Sequence, residues 1–403
     1  MSVLTLPAPE LRRARAAVAA LFLTNGALFA NLIPRLPEIK AEFGLDNAAF
    51  GLIVAAFPAG AITAGLASAA LIRRFGSAPM AAAGTVLTAG GILAAAFAPA
   101  PLAVAVLLFA AGAADSVTDV AQNAHGLRVQ RRYGRSIINS FHALWSIGAV
   151  IGGSMAAAAI ALDLPLGAHL TATGVLFSAV ALVALRFCLR GPDGETGSET
   201  RASEGAERGA AGSRTILVLA ALVLIAMGGT LVEDAGSSWA TLYLSTELTA
   251  PAALAASGYI ALVGAQFIGR MVGDRLVDRF GQRAVARTGG LLAAAGMGLA
   301  LALPTVPGTV LGFAAAGFGV ATLVPAAMHE ADELPGLRAG TGLTVVSWLM
   351  RLSFLLSPPL IGLLSDATSL RTGLLIVPVA GVVVVAAAGV LQSRTAKADT
   401  EAA

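Results

Sequence analysis

Twelve long apolar stretches constrain the fold of this chain more than any other feature. They lie near 15–34, 48–72, 78–98, 101–126, 137–162, 167–189, 215–243, 252–275, 284–303, 307–329, 340–364 and 371–392. A helix of about 20 apolar residues is long enough to cross a bilayer. Hydrophobic residues make up 57% of the 403 residues and charged residues only 12%, too few to cover a core of this size in water. We therefore predict an all-α membrane protein with twelve transmembrane helices.

One polar segment, 191–214, divides these stretches into two sets of six. It mixes Gly, Ser, Glu and Arg without an apolar run, as flexible linkers do. It predicts an N-terminal six-helix bundle over 1–190, a linker over 191–214 and a C-terminal six-helix bundle over 215–403.

Short similarities between the two halves indicate an internal repeat. Residues 73–76 (RRFG) and 278–281 (DRFG) follow the second and the eighth span, 205 residues apart. Gly112 matches Gly317 at the same offset, and Trp145 matches Trp348 at an offset of 203. Together with the linker, these pairs favour two parallel six-helix repeats.

The distribution of basic residues predicts the orientation. Of the 26 Lys and Arg residues, Arg35, Lys40 and Arg371 fall on one side of the predicted bilayer, Arg351 lies inside a span, and the remaining 22 fall on the other side. Basic loops stay in the cytoplasm, so we expect both termini and the linker there. The first apolar run is too long for the core of a cleaved signal peptide, and more spans follow at once. The protein is therefore expected in an inner (plasma) membrane of the bacterial type.

The sequence 273–283, GDRLVDRFGQR, resembles the loop signature of the major facilitator superfamily between its eighth and ninth spans. The resemblance implies a cytoplasmic latch that breaks during transport, formed here by Asp278, Arg279 and Arg283. The copy in the first half lacks the acidic residue. Solvated positive-inside charges are the alternative interpretation of these arginines.

Further segments resemble the fucose-permease-like branch of that superfamily. They are 119–124 (DVAQNA), 131–135 (RRYGR), 140–148 (SFHALWSIG), 239–244 (WATLYL) and 358–362 (PPLIG). The likeness covers nearly the whole chain outside the termini and the linker, and it implies transport by alternating access. It also implies a proton-coupling acid at Asp119. The branch's companion acid in the first span is missing, because the polar residues there are Asn25 and Asn31.

The fourth span carries an unusual polar face. Spacings of four, seven and eight residues place four side chains on one side of a helix: Asp115, Asp119, Gln122 and Asn123. A charged side chain facing lipid costs about 2.5–3.5 kcal/mol, so this face is predicted to point away from lipid. We predict that Asp119 and Asp115 couple transport to protons, with interhelical packing as the alternative.

Polar residues in other spans are predicted to bind the substrate. The set is Asn25, Asn123, His142, Trp145, Glu233, Gln266 and Arg351. His142 and Trp145 are three residues apart and share a face that offers an aromatic ring and a titratable imidazole. An interhelical hydrogen bond with a packed ring is the alternative for this pair. Trp239 and Tyr243 follow Glu233 at the outer end of the seventh span, where they are predicted to be interfacial anchors.

Arg351 is a permanent cation near the middle of the eleventh span. It needs an acidic partner or a bound anion. One possibility is a buried ion pair with Glu233, Asp234 or Asp119. The other is an arginine that binds a carboxylate or phosphate of the substrate.

The sequence lacks the motif that would bind ATP as an energy source. No Gly-x4-Gly-Lys-Ser/Thr loop is present, because the only lysines are Lys40 and Lys397. We therefore predict a secondary active transporter, not an enzyme, for a small polar or anionic solute, driven by protons with sodium as the alternative ion. No cofactor, metal or nucleic acid is expected, and the protein is expected to act as a monomer among membrane lipids. A drug or metabolite efflux antiporter and a non-transporting receptor are the competing functions.

Overall fold

The structure of the protein, a computed structural model, describes residues 9–133, 137–191, 212–335, 337 and 341–391. These residues form helices, turns and short connections, and no strand occurs among them. Twelve helical segments are long and apolar enough to cross a membrane. The predicted all-α fold with twelve spans is confirmed, and we number the spans 1–12 in chain order.

The helices of the twelve spans have the following bounds. Spans 1–6 are Pro9–Leu32, Asn47–Phe75, Ser77–Ala95, Pro101–Tyr133, Ile138–Ala161 and Leu166–Leu185, with a 3-10 turn Ile33–Arg35 and a short helix Leu36–Glu42 after span 1. Spans 7–12 are Ser213–Thr246, Ala252–Ala255 with Ser257–Phe280, Gln282–Ala302, Val306–Val320 with Leu323–Asp332, Thr341–Ala367, and Leu370–Gly373 with Ile376–Ala387, and a 3-10 turn Ala388–Val390 ends the last of them.

Prolines interrupt two spans that the hydropathy pattern predicts as single runs. Span 10 breaks after Val320, and the helix of span 12 breaks after Gly373. Pro325 and Pro378 each stand four residues after the break, at Ala321 and Leu374. A proline cannot donate the hydrogen bond to the carbonyl four residues earlier, and its ring clashes with that carbonyl.

The chain divides into two compact units. The first contains Met1–Ile39 and Ala56–Thr196, and the second contains Lys40–Ala55 and Gly197–Ala403. The bundle boundaries 1–190 and 215–403 remain a prediction, and residues 192–211 of the predicted linker lie outside the described residues.

Equivalent positions in the two halves adopt the same local structure. Gly76 has φ 87° and ψ 151°, and Gly281, 205 residues later, has φ 84° and ψ 154°. Each of the two glycine N–H groups donates to the carbonyl four residues earlier, at 2.8 Å and 2.7 Å. Side chains rarely adopt this backbone conformation, so glycine is required at both loops. The shared geometry agrees with the predicted repeat.

Close helix packing repeats as well. Gly112 of span 4 lies against the backbone of Phe57 in span 2, and Gly317 of span 10 lies against the backbone of Leu262 in span 8. Both pairs are separated by the same 205 residues. Small residues let membrane helices approach until their backbones touch. The repeat therefore extends from the loops into the helix contacts.

Trp239 and Tyr243 are not interfacial anchors. Their side chains are 0% and 1% exposed, and the Trp239 ring packs edge-on against Phe50 at 5.2 Å between ring centroids. The prediction was wrong because position along a span does not show which side of the helix faces neighbouring helices. These rings form part of the core of the second unit.

The orientation of the termini is a testable prediction. In a Cys188→Ser background, a Thr200→Cys variant should react with a membrane-impermeant maleimide only from the cytoplasmic side. A Pro165→Cys variant should react only from the opposite side, because an odd number of spans lies between the two positions. Labelling of intact cells and of inverted vesicles measures both. Reaction of the two positions from the same side would contradict the twelve-span topology.

Candidate functional site

Spans 1, 4 and 5 meet at the amide of Asn25. Its Nδ2 donates to Asp115 Oδ1 at 2.6 Å. Its Oδ1 accepts hydrogen bonds from Trp145 Nε1 at 2.9 Å and from Gln122 Nε2 at 3.2 Å. Asn25 is only 6% exposed, whereas its partners Asp115 and Trp145 are half-buried. Three of the predicted substrate and proton residues thus meet at Asn25, and Gln122 extends the network to Asp119, to which its Nε2 donates at 3.5 Å.

The polar face of span 4 is buried along one edge and exposed along the other. Gln122 is buried on the edge that meets span 1, whereas the Asp119 side chain is exposed. Asn123 Nδ2 donates to the Asp119 carboxylate at 3.1 Å and to its backbone carbonyl at 2.9 Å. Asp119 is therefore the more accessible acid of this face, while Asp115 is held by the amide of Asn25.

His142 lies on span 5, one turn before Trp145. Its side chain is exposed, and its ring meets Phe22 of span 1 edge-on with 5.2 Å between centroids. Trp145 uses its only N–H in the bond to Asn25. The interhelical hydrogen bond considered as the alternative for this pair is thus made by Trp145, and its partly buried ring packs against the cluster that contains Phe22 and Phe141.

A second polar group joins spans 7 and 8. Gln266 Nε2 donates to Glu233 Oε2 at 2.6 Å, and Arg270 Nη2 lies 3.7 Å from the same oxygen. The Glu233 side chain is 21% exposed and that of Arg270 39%. Sequence analysis selected Glu233 and Gln266 but not Arg270. The signal that could have identified Arg270 was its spacing of four residues from Gln266, which places both side chains on the same side of the helix.

Arg351 of span 11 is exposed, and its guanidinium makes no hydrogen bond or ion pair with any described residue. The neighbouring backbone is fixed, because the Met350 carbonyl accepts a hydrogen bond from Thr230 at 3.2 Å. The predicted ion pair with Glu233 or Asp234 is not formed, since Glu233 binds Gln266 and Arg270 instead. A permanent cation that no described residue pairs with remains in mid-span.

The predicted gating residues lie at the loop between spans 8 and 9. Arg283 Nε donates to the Leu391 carbonyl at 3.0 Å, which ties this loop to the end of span 12. The Arg279 guanidinium lies 5.3 Å from the centre of the Phe280 ring. Asp278 is exposed and forms no ion pair with a described residue. Their role in gating remains a prediction.

The first unit therefore contains acids held by amides, and the second contains an ion pair and a guanidinium that pairs with no described residue. No group of three or more His, Cys, Asp or Glu side chains could hold a metal ion in the part of the chain that the structure describes. Carboxylates can carry protons, and a guanidinium can hold an anion. These are properties suited to binding and moving ions and small solutes.

Comparison with known sequences agrees with this assignment. The sequence model of the Major Facilitator Superfamily matches residues 18–275. An uncharacterised transporter of Sinorhizobium fredii, y4wD, is 29% identical over 93% of this chain and 97% of its own length. The membrane protein MosC of Rhizobium meliloti is 28% identical over 92% of this chain and 88% of its own.

Solved structures show the same fold. A mutant of the nucleoside transporter NupG superposes with a TM-score of 0.71 at 13% identity and covers 94% of this chain and 100% of its own. A D-xylose-proton symporter superposes with a TM-score of 0.69 at 16% identity and covers 94% of this chain and 96% of its own. At these identities the likeness concerns the fold.

Proposed function

Because this chain belongs to the Major Facilitator Superfamily and is a transporter of the bacterial inner membrane, we propose that it couples the movement of a small anionic solute to protons. The solute crosses the membrane by secondary active transport, through alternating access. The proposal rests most directly on one observation: the guanidinium of Arg351 lies in mid-span and pairs with none of the residues that the structure describes.

The charge of Arg351 favours an anionic solute. Arginine stays protonated, so it cannot lose its charge to become compatible with a low-dielectric environment. A charged side chain in the bilayer region is costly unless it is paired or reaches water. A carboxylate or phosphate of the solute would pair with the guanidinium through two parallel hydrogen bonds. The solute thus supplies the negative charge that the described residues do not.

Further groups of the second unit suit the rest of a solute. Glu233 and Gln266 are fixed by their mutual hydrogen bond of 2.6 Å. A few fixed polar groups that set the orientation of the ligand are a usual element of a small-molecule site.

Proton coupling is assigned to the acids of span 4. Asp119 is exposed, and its carboxylate accepts a hydrogen bond from Asn123. The protonated, neutral form of Asp119 could accept the same bond. Intramembrane acids of transporters commonly serve as proton relays. One structural neighbour is named a D-xylose-proton symporter, which supports protons as the coupling ion by analogy of fold alone.

A ligand screen tests the charge class of the solute. Small carboxylates and phosphates should raise the melting temperature of the purified protein, whereas their amides and neutral alcohols should not. At 100 times the dissociation constant, binding stabilises by about 2.7 kcal/mol, which a thermal shift detects. Stabilisation by neutral or cationic compounds only, with no response to any anion, would contradict an anionic solute.

A further inference from the structure

A seam of hydroxyl groups surrounds one buried acid between spans 7 and 11. We call it the hydroxyl seam; it consists of Thr230, Asp234, Ser238, Ser353 and Ser357. All five residues are at most 8% exposed. The spacing of four residues places each span's members on one helix face. Thr230 donates to the Met350 carbonyl at 3.2 Å, and Ser353 donates to the Met227 carbonyl at 3.3 Å, so one end of the seam is closed by hydrogen bonds.

The other end of the seam contains oxygen atoms without partners. Asp234 Oδ1 accepts only a long hydrogen bond of 3.4 Å from Ser238. Asp234 Oδ2 and Ser357 Oγ are buried and have no hydrogen-bond partner among the described residues, although the Ser357 hydroxyl faces the carboxyl. A buried polar atom without a partner costs about 1–3 kcal/mol. The Ser357 hydroxyl can turn to donate to this carboxylate, but two hydroxyl donors leave lone pairs of a buried carboxylate unfilled, so the carboxylate can take a further ligand.

Span 11 also contains two backbone carbonyls that lack helical donors, close to Ser357 in the sequence. Pro358 and Pro359 directly follow Ser357 inside the helix of span 11. Neither proline has an N–H, so the carbonyls of Phe354 and Leu355 lack their usual helical donors. Carbonyls freed from helical hydrogen bonds coordinate alkali cations in membrane transporters.

We propose that the Asp234 carboxylate, together with the hydroxyls of Ser238 and Ser357, binds a sodium ion. One carboxylate matches the single charge of the ion, and no Lys or Arg of the described residues pairs with Asp234. Oxygen atoms are the preferred ligands of hard cations. A proton would also neutralise Asp234, but a neutral carboxyl would show no response to Na⁺, so the two alternatives differ in a measurable property. The site is separate from Arg351 and does not depend on the proposed solute.

Thermal stability of the purified full chain in detergent tests this site without solute or gradient. At pH 8 in choline chloride, replacing choline by Na⁺ at constant ionic strength should raise the melting temperature by roughly 2–5 °C and should saturate. K⁺ should give a much smaller shift. Asp234→Asn should abolish the Na⁺ response, and Ser357→Ala should raise the half-saturating Na⁺ concentration at least about threefold, since one oxygen ligand is lost.

A matched control separates Asp234 from its neighbour. Glu233→Gln removes the adjacent acid of the same span and should retain the Na⁺ response, because Glu233 bonds to Gln266 and Arg270. No Na⁺ shift in the parent protein, equal shifts with Na⁺, K⁺ and choline, or an unchanged Na⁺ shift in Asp234→Asn would each overturn the proposal. If Asp234→Asn does not fold, the Ser357→Ala titration decides. Proton coupling through Asp119 is unaffected by any of these outcomes.

Discussion

Replacing Arg351 by glutamine is expected to weaken solute binding about 10- to 100-fold while leaving the protein as stable as the parent. The guanidinium bonds to no described residue, so its removal leaves no buried acid without a partner. Hydrogen bonds to a charged group contribute about 1.5–3 kcal/mol, which corresponds to affinity losses of about 10- to 100-fold. Titration of the anion found in the ligand screen, followed by thermal shift, measures both quantities.

Arg270→Gln is the matched control for Arg351→Gln. Arg270 lies 3.7 Å from Glu233, so its removal should lower the melting temperature by weakening a pair that the protein itself forms. A large fall in the melting temperature of Arg351→Gln, reversed by a second change of Glu233 or Asp234 to its amide, would indicate an ion pair instead. Unchanged anion affinity in Arg351→Gln would place the solute site away from span 11.

Asp119→Asn is expected to abolish solute-driven proton movement without loss of folding. Asparagine keeps the shape of the side chain and its exposure but cannot take up and release a proton. The hydrogen bond from Asn123 at 3.1 Å can still be accepted by the amide oxygen, so the fold of span 4 should persist. The internal pH of proteoliposomes, followed with a trapped dye, reports the coupled flux.

The control for Asp119→Asn is Asp332→Asn, which neutralises an exposed acid at the end of span 10. This variant should retain the parental proton flux. If Asp119→Asn also retains it, Asp119 has a structural role, and Asp115 or Glu233 becomes the next acid to test. Loss of expression in Asp119→Asn alone would show that the hydrogen bonds around this carboxylate are needed for folding.

Hydropathy predicted the number of spans because the length of an apolar run determines whether a helix can cross a bilayer. Membership of the superfamily is confirmed by the family match over residues 18–275, which ends within the 273–283 segment that suggested it. Membership of the fucose-permease-like branch stays a prediction. The repeat was visible at Gly76 and Gly281, since only glycine suits that backbone conformation at both loops.

The sequence predicted only part of the candidate site. Spacing on one helix located the polar face of span 4, but it could not show that Asn25 of span 1 would bond to Asp115. Such pairs depend on how neighbouring helices are rotated, which no periodicity within one helix reveals. The same limit explains why Trp239 was assigned to the membrane interface although it is fully buried.

The hydroxyl seam is a feature that the sequence pattern alone does not identify. Thr230, Asp234 and Ser238 stand at helical spacing in the sequence, yet hydroxyls in membrane helices usually bond to their own backbone. Only the burial of Asp234 and the missing partner of Ser357 distinguish this seam from ordinary packing. Structure was therefore needed to recognise it.

Accumulation of the solute in proteoliposomes under an imposed pH gradient tests proton-coupled transport most directly. With the anion identified in the ligand screen, the parent protein should concentrate the labelled solute on one side of the membrane when the pH differs across it. A protonophore should abolish this accumulation, and protein-free liposomes should show none. Equilibration of the solute to the same level with and without the pH gradient would contradict the account.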